Sequence, residues 1–239
     1  MKIKKLDDYL ISIAIGIRYR ANFSIEDQLG KIVDQILYSK NSFFNPKVFP
    51  LVQNNVNEKR LINEKTQDYM IINNSNIILE IFLGETFTAS DIDEIVDKFE
   101  QQIIKGILKE YNITQIVRAG FIKRYVFGIE DLAKTFIDKT IGGTFEGIND
   151  INLSFSKKFP VADALREKEI FDYDNVIFNI IKKSDLNELY TSIDYQKYFL
   201  PYLNNANKIE FNEFFKKVNE FNDNNYLNWI NTNYLIENE

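Results

Sequence analysis

Four arginines stand where side-chain chemistry could converge: Arg18 and Arg20 closely follow Gly16, and Arg118 and Arg124 bracket Gly120. A guanidinium is a planar fork of donors that grips a carboxylate or phosphate through two parallel hydrogen bonds. The segments carrying these arginines are related. Gly16, Arg20, Phe23, Ile25, Glu26, Asp27 and Asp34 line up without gaps with Gly120, Arg124, Phe127, Ile129, Glu130, Asp131 and Asp138, about 104 positions later. Strand alternation puts Arg20 beside Gly16 and Arg18 on one face, and Arg124 beside Gly120 and Arg118 on the equivalent face. In a doubled chain Arg20 and Arg124 then flank an approximate twofold axis, where they could hold an anion. The competing reading pairs each with Glu26, Glu130 or another acid of its own unit, or leaves it ending a strand in solvent.

Other chemistry is limited by what the chain lacks. It has no cysteine and no histidine, which removes disulfides, thiolate nucleophiles, Ser-His-Asp relays and the usual zinc ligands. Carboxylate, lysine, tyrosine, serine and arginine chemistry survives, with hard-metal sites made of oxygen ligands. Asp93, Asp97 and Glu100 fall on one helical face near Asp91, and Asp172 and Asp174 flank a turn, so magnesium binding is imaginable. Solvated acids opposite an apolar stripe and ordinary turn chemistry are the preferred account of both sets. The run Gly142, Gly143, Thr144, Phe145, Glu146, Gly147 lacks the Lys-Ser or Lys-Thr of a phosphate loop and follows a helix, so it reads as a helix stop and turn. No cofactor and no metal site are expected. Among the terminal aromatics, Trp229 and Tyr234 lie beyond a capped helix and are the ones left for a partner.

These residues need elements to position them. From Ile11 to Tyr19 the odd positions are apolar, and Ser12, Ala14, Gly16 and Arg18 alternate with them, which predicts a strand with two different faces. Ser24, with Asp27 three residues on, predicts a capped helix ending near Ser39. Residues 41–57 read as a connection. Glu58 to Phe82 predicts two or three antiparallel strands around the Asn73–Asn76 turn cluster. A long helix then starts at Ser90 and stops at Asn112. The order repeats: a strand over Gln115–Phe127, a helix carrying Ile129, Leu132, Ala133, Phe136 and Ile137, a strand at Ile151–Phe155, and a bend at Pro160. A hairpin at Asp172–Asn175 and a strand over Thr191–Tyr198 follow. Asn207 and Glu210 predict a capping box for a last long helix.

The fold class is therefore α+β. Two pseudo-symmetric units, residues 1–112 and 113–239, each run strand, helix, antiparallel strands, long helix, with helices packed on a curved antiparallel sheet. The expectation is that they join edge to edge as one body.

The stretch from Ile77 through Phe127, with Arg118, Ala119, Gly120, Phe121, Ile122, Lys123, Arg124 and Tyr125, resembles a sporadically distributed bacterial family of about 250 residues and unknown function. Ser192 to Tyr195 and the helix from Asn207 to Asn222 are similar to that family's end. That family would carry an Arg-Tyr pair two residues after the glycine. Arg18 and Tyr19 match it, whereas Ile122 and Lys123 depart from it. The resemblance supplies no reaction, and it implies an accessory component of a bacterial defence system.

The formal charge is −6 with signs interspersed, so no broad nucleic-acid footprint is evident. Lys2, Lys4 and Lys5 precede an apolar stretch, but Asp7 and Asp8 interrupt it and no cleavage site follows, so no secretion signal is expected. No stretch approaches the ~20 apolar residues of a membrane span. A cytoplasmic location is the expectation. The functional reading is a non-enzymatic binding or adaptor protein for a protein partner or a small anionic ligand. The alternatives are a metal-dependent, carboxylate-based hydrolase or nucleotide-processing enzyme, and a nucleic-acid-binding saddle.

Overall fold

Strand β1 (Leu10–Tyr19) follows the alternation at its C-terminal end, where Ile15, Ile17 and Tyr19 are buried, Gly16 is half-buried and Arg18 exposed; nearer its start Ser12 and Ala14 are buried on the second face as well. In the computed structural model, which describes residues 2–129, 132–141, 150–159, 172–182 and 188–233, β1 is a central strand of one antiparallel sheet. The remaining strands are β2 (Leu51–Asn54), β3 (Glu58–Ile62), β4 (Tyr69–Asn73), β5 (Asn76–Phe82), β6 (Ile116–Phe127), β7 (Ile151–Phe159), β8 (Tyr173–Lys182) and β9 (Leu189–Leu203). Their order across the nine-stranded sheet is β2-β3-β4-β5-β1-β6-β9-β8-β7. Helices and an antiparallel sheet make the chain α+β. Strands β1 and β6 pair antiparallel, so residues 10–82 and 116–203 contribute to one continuous sheet.

Helices α1 (Phe23–Glu26) and α2 (Leu29–Tyr38) follow β1. The N-cap is Asn22, whose side chain accepts the Ser24 N–H at 3.1 Å, and the helix breaks at Asp27 and Gln28. The predicted Ser24–Asp27 cap is thus displaced by an asparagine two positions earlier, an equally strong cap. The predicted connection 41–57 contains the short edge strand β2, whose backbone pairs with β3 despite its exposed, weakly patterned side chains.

The first long helix opens at Thr88, which forms a capping box with Asp91. It continues through α3 (Ile92–Lys98) into a π-helical stretch, Phe99–Leu108. Asn112 ends it with φ 48, and the Ile113 N–H returns to the Leu108 carbonyl at 2.7 Å. Helix α4 (Leu132–Ile141) follows β6. The last helix begins as α5 (Phe211–Phe221), widens into a second π-helical stretch, Asn222–Tyr226, and finishes as α6 (Leu227–Asn233). The predicted Asn207–Glu210 box is not formed. Asn205 instead accepts the Asn207 N–H at 2.9 Å, in a short turn before α5.

Aromatic residues bind the last helix to the sheet. Phe121 of β6 meets Phe211, Phe214 and Phe215 at 4.8, 5.5 and 5.0 Å between ring centroids. Tyr195 meets Phe214 and Phe221, and Phe178 meets Phe221 and Tyr226. Residues directly opposite in an antiparallel pair share a face, so Ile15, which faces Phe121, lies under the same helical layer. Burial of this face supplies most of the driving force for folding. The other, far face carries Asn76, Ile78, Gly16, Arg18, Arg118, Gly120, Ile122 and Asp194, partly or well exposed.

The aligned segments differ in environment at several pairs: Phe23 opens a helix and is 72% exposed whereas Phe127 ends β6 fully buried, and Arg20 is exposed past β1 whereas Arg124 lies within β6, partly buried. Glu130, Asp131, Gly142, Gly143, Thr144, Phe145, Glu146, Gly147, Pro160 and Tyr234 lie outside the described residues. Among the described residues, no helix is long and apolar enough to cross a membrane.

Candidate functional site

The register of β1 on β6 sets the geometry. Gly16 stands directly opposite Gly120, Arg18 opposite Arg118, Ala14 opposite Ile122 and Ser12 opposite Arg124. The glycine pair leaves the middle of the far face without side chains. A depression of about 150 Å³ lies there, lined by β1 from Ala14 to Arg18, by Asn76 and Ile78 of β5, by Arg118, Gly120 and Ile122 of β6, and by Asp194 of β9. Packing alone does not demand glycine. A Cβ built on Gly16 would come no nearer than 3.4 Å to Ile78, and one on Gly120 no nearer than 3.7 Å to the Tyr195 carbonyl. Neither position has a left-handed backbone. Glycine inside a strand costs stability and marks a place where something approaches the backbone closely.

The arginines do not all converge. Arg124 donates to the buried carboxylate of Glu80 at 2.5 Å and to Ser12 Oγ at 3.3 Å, and Tyr69 donates to the same carboxylate at 2.5 Å. It therefore pairs with an acid, but one from β5 rather than from its own unit. Arg20 lies past the end of β1, exposed, its guanidinium 6.0 Å from the Tyr202 ring. Arg20 and Arg124 thus do not share a site. Arg18 and Arg118 do: both line the depression. Among the described residues neither has an ion pair with a carboxylate.

Arg118 is held in place. It donates to Tyr198 Oη at 3.2 Å, and its guanidinium lies 5.6 Å from that ring. Tyr198 stacks on Tyr173 at 4.8 Å and 2°. The network continues inward, with Tyr198 donating to Gln196 Oε1 at 2.9 Å and Gln196 Nε2 donating to Asp194 Oδ2 at 2.5 Å. Burial pushes the Asp194 carboxyl up; the Gln196 hydrogen bond and the charges of Arg118 and Arg124 pull it back. Its second oxygen, Oδ1, overlooks the glycine floor, 3.9 Å from where a Gly120 Cβ would be. The site thus offers two cations at one end, a carboxylate oxygen with Ile122 at the other, and the glycine floor beside Ile78 between.

Asp194, Gln196, Tyr198, Ile78 and Ile122 escaped sequence reasoning. The usable signal was the alternation in β9, where Asp194, Gln196 and Tyr198 interleave with the buried Ile193, Tyr195 and Phe199.

The predicted acidic sets separate. Asp91 caps the first long helix, Asp93 is exposed, and Glu100 is buried, not solvated. Asp174 accepts from Lys217 Nζ and, at 3.1 Å, from Tyr195 Oη, while Asp172 accepts the Leu200 N–H at 3.2 Å. Among the described residues no group of three or more acids is placed to hold a metal ion. Trp229 is partly buried, stacked on Tyr226 at 5.9 Å and edge-on to Phe155 at 6.3 Å. Comparison with protein-family models finds none that matches the chain, and comparison with curated proteins likewise finds no match.

Proposed function

We propose that the protein is a binding protein that takes a small anionic ligand in the depression over Gly16 and Gly120. The observation that carries this reading is the placement of Arg18 directly opposite Arg118. Like charges facing each other across a strand pair are destabilising. An anion between them relieves that repulsion and accepts from both planar forks. Arg118 arrives pre-positioned by Tyr198, which lowers the ordering cost of binding. A protein presenting a carboxylate would meet the same arginines, but a depression of about 150 Å³ favours a small molecule.

The second half of the proposal is that the site arose by doubling of one unit of strand, helix, antiparallel strands and long helix. What supports it is the strand order, in which β5-β1 and β9-β6 lie back to back, and a register centred on the glycines that the two aligned segments have in common.

Titration calorimetry with inorganic phosphate and a short dicarboxylate tests the binding reading. Saturable binding to the wild type, weakened at least tenfold in R18A/R118A, is the expected result. Absence of saturable binding by any anion, or equal binding by the double variant, overturns it.

A further inference from the structure

The site specifies more than an anion. Resting on the binding reading above, we infer that the ligand is a nucleoside monophosphate. Its phosphate sits at Arg18 and Arg118, and its base lies flat over Gly16 and Gly120 with an N–H directed at Asp194.

Length is the first argument. Arg118 and Ile122, which faces Asp194, are four residues apart on β6, a span of about 13 Å at ~3.3 Å per residue. A lone phosphate or carboxylate occupies one end of such a site and leaves the rest empty. A phosphate joined through a ribose to a base is extended on the scale of the whole trough.

Shape is the second. The floor is two strand backbones bare of side chains, although a methyl group at Gly120 would meet only ordinary contacts. Ile78 stands beside Gly16 on one flank, Gln196 beside Gly120 on the other, and Ile122 closes the Asp194 end. A flat ring fits a flat floor flanked by one isoleucine and one amide, and packs against Ile122 at its end; a globular aliphatic group does not.

Polarity is the third. Asp194 Oδ2 is taken by Gln196, while Oδ1 overlooks the floor. A carboxylate oxygen at the far end of a site from two arginines repels a second anionic group and accepts from a donor. The N–H groups on a nucleobase edge are such donors, and a hydrogen bond to an ionised acceptor is stronger than one between neutral groups. Dicarboxylates and diphosphorylated linear ligands are therefore disfavoured.

Calorimetry of the full chain with the monophosphates GMP, AMP, CMP and UMP, their nucleosides and inorganic phosphate tests the inference. At least one monophosphate is expected to bind tenfold or more tighter than both its nucleoside and phosphate. D194N is expected to weaken that nucleotide at least tenfold while phosphate, relieved of a nearby negative charge, binds no more weakly than to the wild type. G120A, which fills the floor without a steric clash, is expected to lower nucleotide affinity at a melting temperature no lower than the wild type's. If phosphate and nucleotides bind equally and R18A/R118A abolishes both, the anion reading stands and the nucleotide inference falls. If nothing binds, both fall. Tight binding of a single-stranded oligonucleotide with steep salt dependence, and of no mononucleotide, also overturns the inference in favour of a nucleic-acid surface.

Discussion

Glu100, on the first long helix, accepts the backbone N–H of Asn212 at 2.8 Å and so caps the start of α5 from another element. The first turn of a helix leaves four backbone donors without intrahelical partners, and a negative charge there also meets the positive end of the helix dipole. Glu100 is only 5% exposed, so no water replaces it freely. The π-helical turn sets Lys105 five residues on against its other oxygen, Nζ to Oε1 2.5 Å. E100A should cost about 1–2 kcal/mol, the range of a lost N-cap, in urea unfolding. K105A should cost less, about 0.5–1 kcal/mol: the ammonium is 40% exposed, and the carboxylate it leaves behind still accepts the Asn212 N–H. Equal losses from the two variants would show that the ion pair, not the cap, matters.

Arg124 and Glu80 join β6 to β5 across β1, with Tyr69 as a third partner. Removing the arginine leaves a carboxylate that is 4% exposed without its counter-charge. Breaking a buried pair costs about 3 kcal/mol or more, and partial exposure of Arg124 brings the expected loss for R124M nearer 2 kcal/mol. A melting temperature about 4 to 8 °C lower is the corresponding shift for a chain of this size. The double variant E80Q/R124M should recover at least half of it. No recovery would mean that Arg124 acts through packing of its aliphatic stem.

Much of this fold was legible because period-two and helical patterns are local. β1, β6 and the two long helices follow directly from alternating Ile11–Tyr19 and from the stripe through Ile92, Ile95, Val96 and Phe99. The cap on α5 was not legible. It comes from Glu100, more than a hundred residues away, and Asn207 and Glu210 make a sequence-level decoy. Half of the site was legible, since Arg18 and Arg118 stand out as polar positions near glycines in apolar strands. Which arginines meet was not, because facing depends on interstrand register: a two-residue slip would have exchanged Arg18 for Arg20 as the partner of Arg118. Asp194 enters from β9, and its depth beside Gly120 depends on that same pairing.

Buried tyrosines make alkaline stability a readout of the core. Burial raises the phenols of Tyr19, Tyr125, Tyr195 and Tyr226, and burial with the Glu80 carboxylate pushes Tyr69 up to about 12. The unfolded chain releases these protons near pH 10 while the folded chain keeps them, so stability is fully present below about pH 10 and falls above it. Each such tyrosine contributes about 1.4 kcal/mol per pH unit to that fall. Lys123 works in the opposite sense. Burial lowers its ammonium despite Asp7, Asp223 and Asp93, so the unfolded chain binds the proton more tightly and stability rises as pH climbs from the lowered value toward the ordinary one. Urea midpoints measured from pH 8 to 11 should therefore pass through a maximum. Y226F, which removes a hydroxyl donating to Thr191 Oγ1 at 2.6 Å, should lose stability near neutrality yet fall less steeply above pH 10. K123M should lack the rising limb. Curves for wild type, Y226F and K123M that run parallel across this range would show that neither group titrates differently in the folded chain.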